Sequence, residues 1–132
     1  MATTIGTMGG DLIVYPDYIY SATAMPNNTN SSSSIFQFGK SKSRVELKVS
    51  FDAETVVAST KTLSIDLIQD SAIGGNYSTV TNLASYTAGT IAAGTTLRFT
   101  PSEATLQYCK IKVTTTDDLS AKKLTAYVHL TE

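Results

Sequence analysis

The stretch Arg44 to Phe51, RVELKVSF, decides how this chain folds. Val45, Leu47, Val49 and Phe51 fall on one side of an extended backbone. Arg44, Glu46, Lys48 and Ser50 fall on the other. Strict alternation with the charges on one side is the pattern of a half-buried antiparallel strand. The same period returns downstream. From Thr62 to Gln69, Leu63, Ile65 and Leu67 alternate with Ser64 and Asp66. Cys109, Ile111 and Val113 alternate with Tyr108, Lys110 and Lys112. The final strand sets Leu124, Ala126, Val128 and Leu130 against Lys123, Thr125, Tyr127 and His129.

Weaker strand signals fill the gaps: a short aromatic run from Ile35 to Phe38, then Thr79 to Ser85 and Thr95 to Thr100. Gly74-Gly75-Asn76, Ala88-Gly89, Ala93-Gly94, Pro101-Ser102 and Asp117-Asp118 read as turns between them, the last as a hairpin. No segment holds a helical apolar period. Ser102 to Leu106 has room for one turn, with Ser102 as its cap. Seven or eight short strands predict an all-β fold, an antiparallel β-sandwich or jelly roll, with a closed barrel as the alternative.

The first third of the chain breaks this pattern. Asp11 to Tyr20, DLIVYPDYIY, packs three tyrosines among aliphatic residues around Pro16, which a central strand would not tolerate. Ser21 to Ser34, SATAMPNNTNSSSS, has too little apolar surface to offset its ordering entropy. Residues 1–34 are therefore expected to be an extended N-terminal arm and Ser/Asn-rich linker, and residues 35–132 the sandwich domain. The tyrosine segment is expected either to form an edge strand on its own domain or to lie on a neighbouring molecule.

At 132 residues, 42% hydrophobic and 16% charged, the chain is long and apolar enough for one ordinary core. Ser and Thr make up about a quarter of it, and Thr favours a pleated surface. A net charge of -1 offers no basic stripe for phosphates, so no nucleic-acid partner is expected. The lysines that cluster at Lys40, Lys42 and Lys48, and at Lys110, Lys112, Lys122 and Lys123, read as solvated strand faces. No apolar run approaches membrane-spanning length and the N-terminus has no signal-peptide pattern, so a soluble protein made in the cytoplasm, with no membrane partner, is expected.

The residues of chemistry are sparse. His129, the one histidine, lies on the outward side of the last strand with no second histidine to share a metal. Cys109, the one cysteine, lies in the inward phase, as a small buried residue rather than a nucleophile. Asp52 and Glu54 follow a strand and Asp117-Asp118 lies in a turn, without the ligand run of a calcium loop. Gly9-Gly10 and Gly74-Gly75 lack the lysine of a phosphate loop. No catalytic residue, metal, cofactor or small-molecule substrate is expected, and the chain does not read as an enzyme. With no Trp, a sugar-stacking platform would need loop tyrosines such as Tyr77 and Tyr86.

Four stretches carry a resemblance: VELKVSFDAET from Val45, LSIDLIQDS from Leu63, IAAGTTLRFTP from Ile91 and QYCKIKVTTT from Gln107, with KKLTAYVHL closing the series. In order and spacing the chain resembles the capsid cement (head decoration) proteins of short-tailed bacteriophages, over about three quarters of its length. The resemblance implies a structural virion protein on the outer capsid surface that bridges major capsid protein subunits and stabilises the mature lattice. It also implies a homodimer or homotrimer. On that reading Ile13, Val14, Tyr15, Tyr18 and Tyr20 contact capsid or a sister subunit, and the loops holding Asp52, Glu54, Asn76 and Tyr77 add secondary contacts. The alternative is a receptor- or carbohydrate-binding β-sandwich module of a phage tail or surface protein.

Overall fold

The structure, a computed structural model, describes residues 2–8, 11–16, 18–39 and 44–130, the first two stretches by their backbone alone. Among the described residues ten strands run in chain order: β1 (Ala2–Met8), β2 (Asp11–Pro16), β3 (Tyr20–Ala24), β4 (Asn30–Ser32), β5 (Val45–Phe51), β6 (Thr55–Asp70), β7 (Thr79–Ile91), β8 (Thr96–Phe99), β9 (Tyr108–Thr115) and β10 (Lys123–Leu130). They form two four-stranded antiparallel sheets, ordered β3-β10-β5-β8 and β4-β9-β6-β7, and a separate hairpin, β1-β2. The fold is an all-β sandwich. From β3 onward each strand crosses to the opposite sheet from its predecessor, except β6 and β7, which form a long hairpin.

The core follows from the alternation. β5 buries Val45, Leu47, Val49 and Phe51, and each is fully inaccessible. β6 answers with Leu63, Ile65 and Leu67, β9 with Cys109, Ile111 and Val113, and β10 with Leu124 and Ala126. These four are the central strands of their sheets, so their inward faces meet in the middle. A fully buried side chain of this size contributes roughly 1.5–3 kcal/mol by leaving water.

Residues 20–34 are the main departure from expectation. The Ser/Asn tract is not a linker outside the sandwich. β3 pairs with β10 and β4 with β9, each as the outermost strand of its sheet. An edge strand needs few apolar residues, because its neighbour supplies the backbone partners and one or two anchors hold it. Here Tyr20 and Met25 are the anchors, both buried. Ser33 also binds reciprocally to Ile111, its amide donating to the Ile111 carbonyl at 2.8 Å and its Oγ accepting from the Ile111 amide at 2.9 Å. The sandwich therefore begins near Ile19. Only β1-β2 pairs apart from it, with Pro16 harmlessly at the end of its ladder opposite Ala2.

Smaller differences have local causes. Ile35 to Phe38 is not a strand; Phe36 makes one isolated bridge to Cys109, and its ring packs edge-on to Phe38 at 5.4 Å. Ser102 to Leu106 makes a turn, with Ser102 Oγ accepting from the Ala104 amide. Asp117-Asp118 joins strands of different sheets and is no hairpin. Ala88-Gly89 does not end its strand. β7 runs through it at a bulge, where Val57 pairs with Gly89 and Thr62 with Thr87. Ala88 and Thr60 both take positive φ there. The freed amides of β6 find side chains instead: Asp117 Oδ2 accepts from the Ala58 amide and Thr116 Oγ1 from the Thr62 amide, both at 2.9 Å.

Candidate interaction surfaces

Eight of the nine expected contact residues fall in four separate places, and the ninth, Tyr20, lies in the core. Ile13, Val14 and Tyr15 lie on β2, opposite Gly6, Thr4 and Thr3. Tyr18 is 52% exposed on the outward side of the first sheet. Asp52 and Glu54 precede β6, whereas Asn76 and Tyr77 follow it. The sixteen residues of β6 span the length of the sandwich, so those two loops sit at opposite ends. No single surface gathers all nine residues.

Two of the tyrosines are not surface contacts. Tyr20 points into the core at 8% exposure, and its hydroxyl donates to the Ile111 carbonyl of the other sheet at 3.2 Å. Burial pushes that hydroxyl up to about 12. Tyr77 is also buried. Its hydroxyl donates to the Ile73 carbonyl at 2.8 Å, and Lys110 Nζ stands 4.5 Å above its ring. With both the hydroxyl and a ring face engaged, Tyr77 is no stacking platform. Tyr86 is half-buried and packs edge-on against Phe51 at 5.9 Å.

The loop after β6 is organised by Asp70. Its carboxylate accepts from the amides of Ala72 at 2.9 Å and Tyr77 at 3.1 Å. These donors hold the Asp70 carboxyl below the usual carboxylate range. Gly75 lies so close that a Cβ there would run into the Asp70 carboxylate. Asp70 thus shapes the loop that presents Asn76. At the other end, Asp52 accepts from Thr125 Oγ1 at 2.8 Å, and Glu54 is exposed.

The outer face of the first sheet gathers residues that strand-by-strand reading leaves apart. Register places Tyr127 opposite Lys48, and Lys48 opposite Arg98. His129 lies opposite Glu46. Glu46 Oε1 accepts from His129 Nε2 at 3.0 Å and from Arg98 at 2.9 Å. The bond from His129, joined by Arg98 and partly offset by burial, holds the Glu46 carboxyl below its ordinary value. Tyr18 and Tyr127 meet edge-on at 6.1 Å. His129 is thus outward-facing, as its phase predicts, but tied down by Glu46. The face carries two tyrosines and a charged row, a composition suited to a protein contact. The signal for it was the alternation of β10, which puts Tyr127 and His129 on one side; the pairing partners were not legible.

Cys109 is buried. Among the described residues no cluster of His, Cys, Asp or Glu is placed to hold a metal ion. No helix among them is long and apolar enough to cross a membrane. No protein-family model matches the chain, and no curated protein matches it significantly.

Proposed function

We propose that this chain is a structural virion protein, a capsid cement that binds the outer surface of a phage head and bridges major capsid subunits. The observation that carries the reading is where the resembling stretches fall. VELKVSF is β5, LSIDLIQD is the distal part of β6, TLRF is β8 and YCKIKVTT is β9. The resemblance therefore lies on central strands as well as loops. We read the strand order as the wiring of a jelly roll, two sheets with successive strands alternating between them.

The reading needs binding surfaces rather than a reaction centre. The β1-β2 hairpin stands apart from both sheets and carries Ile13, Val14 and Tyr15. An isolated two-stranded hairpin is marginal in water, so it gains from docking on another surface. We assign it to the capsid contact, with the outer face around Tyr18 and Tyr127 as the second contact. Binding the expanded shell alone stabilises that shell by mass action. The carbohydrate-binding alternative loses its natural platform, since Tyr77 is buried and Tyr86 packs on Phe51.

The test is co-sedimentation with empty heads assembled from the major capsid protein of the phage that, on this reading, encodes the chain, before and after expansion. The protein is expected to pellet with expanded heads only. Removing residues 1–16, which leaves both sheets whole, is expected to weaken pelleting. Equal failure to bind either form of head would refute the cement reading.

A further inference from the structure

A four-stranded sheet has two open edges, and a sandwich has four. Three of these are blunted. β4 is three residues long. β8 is four residues long and carries Arg98. β3 has only five residues. Short length and charge are among the usual means by which edges avoid pairing with another chain.

β7 is different. It runs thirteen residues, TVTNLASYTAGTI, at the outer edge of the second sheet, with bulges against β6 at Leu83 and around Ala88. At the rise of an extended strand that is an edge of roughly 40 Å. It contains no charged residue and no proline. Every other strand of seven or more residues in the sandwich carries charge: Glu46 and Lys48 on β5, Lys61, Asp66 and Asp70 on β6, Lys110 and Lys112 on β9, and Lys123 on β10. Except for Ile91 its residues are exposed or half-buried, and Val80 is 56% exposed.

The missing charge selects the occupant. When an antiparallel strand pairs with its own copy, the two-fold axis brings residues near the centre against themselves. Any charge there meets an identical charge, and like charges directly opposite destabilise. A strand kept neutral along its whole length fits a copy of itself. Pairing of this isologous kind also closes after two copies, whereas an edge docking on a different edge would propagate.

We propose that β7 pairs antiparallel with β7 of a second copy about an axis near Ser85, the middle of the strand, joining two β4-β9-β6-β7 sheets into one. This pairing needs no capsid and stands apart from the cement reading. It specifies a homodimer and names the surface that makes it.

Sedimentation equilibrium on the full chain tests it. The wild type is expected at twice its 14.0 kDa mass. Ser85→Lys and Ser85→Asp, at an exposed position, are each expected to weaken the dimer by about tenfold or more through like-charge contact. An equimolar mixture of the two is expected to recover it, which also establishes that both fold. If either fails to fold, Ser85→Arg and Ser85→Glu replace the pair at the same position. A wild type that stays monomeric up to about 1 mM overturns the proposal. So does a dimer indifferent to these charges, or one that disappears on removing residues 1–16 while tolerating Ser85→Lys. A dimer that fails to bind heads would sink the cement reading and leave this one standing.

Discussion

The Tyr20 hydroxyl leaves the first sheet and ends on the Ile111 carbonyl of the second. It closes the seam between β3 and β4, the two edge strands on that side of the sandwich. Tyr20→Phe keeps the ring and removes one buried hydrogen bond, and is expected to cost about 1 kcal/mol in urea unfolding. The pH dependence has a definite sign. The unfolded tyrosine loses its proton near 10.0 and the folded one near about 12, so between those values the unfolded state holds fewer protons. Stability contributed by Tyr20 is complete below pH 10 and is lost as pH rises through that window. Urea midpoints across the window are expected to fall in the wild type and fall less in Tyr20→Phe.

Asp70 acts in the opposite direction. Its folded carboxyl is depressed, so its contribution is present above the ordinary carboxylate value and is lost as pH falls below it. Asp70→Ala is expected to flatten the acid limb of the stability curve. Gly75→Ala, which drives a methyl into that carboxylate, is expected to lower the melting temperature at neutral pH. Gln69 beside it is buried, its Oε1 accepting from the Leu106 amide at 2.9 Å and its Nε2 donating to Thr81 at 3.2 Å. The Gln-Asp pair in LSIDLIQDS was readable only as the end of a strand. Its work, holding two loops, depends on partners that sequence order does not reveal.

At the scale of elements, central strands were legible and edges were not. β5, β9 and β10 bury alternate residues against the core, and this period is written in their sequences. β3 and β4 need only a neighbouring backbone, so YSATA and NSS carry no such period. β7 was readable to Ser85 and no further, because Ala88-Gly89 imitates a turn where the strand bulges. This moves the boundary for truncation. Deleting residues 1–16 is expected to leave cooperative unfolding and its urea m-value nearly unchanged for the sandwich. Deleting residues 1–34 removes β3 and β4, opens the Tyr20 seam, and is expected to abolish cooperative unfolding as followed by circular dichroism.

For the whole molecule, the sandwich is a scaffold that separates its surfaces. The hairpin, the aromatic face around Tyr18 and Tyr127, and the neutral edge of β7 belong to different elements. On the proposed reading, bridging identical subunits needs several surfaces, and these three are the candidates. Of the candidate surface, the exposed Tyr18 was legible in the sequence. The inward turn of Tyr20 and the cover over Tyr77 were not, because both depend on contacts between distant strands.

Calorimetry of expanded empty heads with increasing amounts of the protein is the sharpest test of the proposed cement role. The melting temperature of the shell is expected to rise and then saturate, as binding to a fixed number of lattice sites requires. A melting temperature unchanged at every concentration would rule that role out.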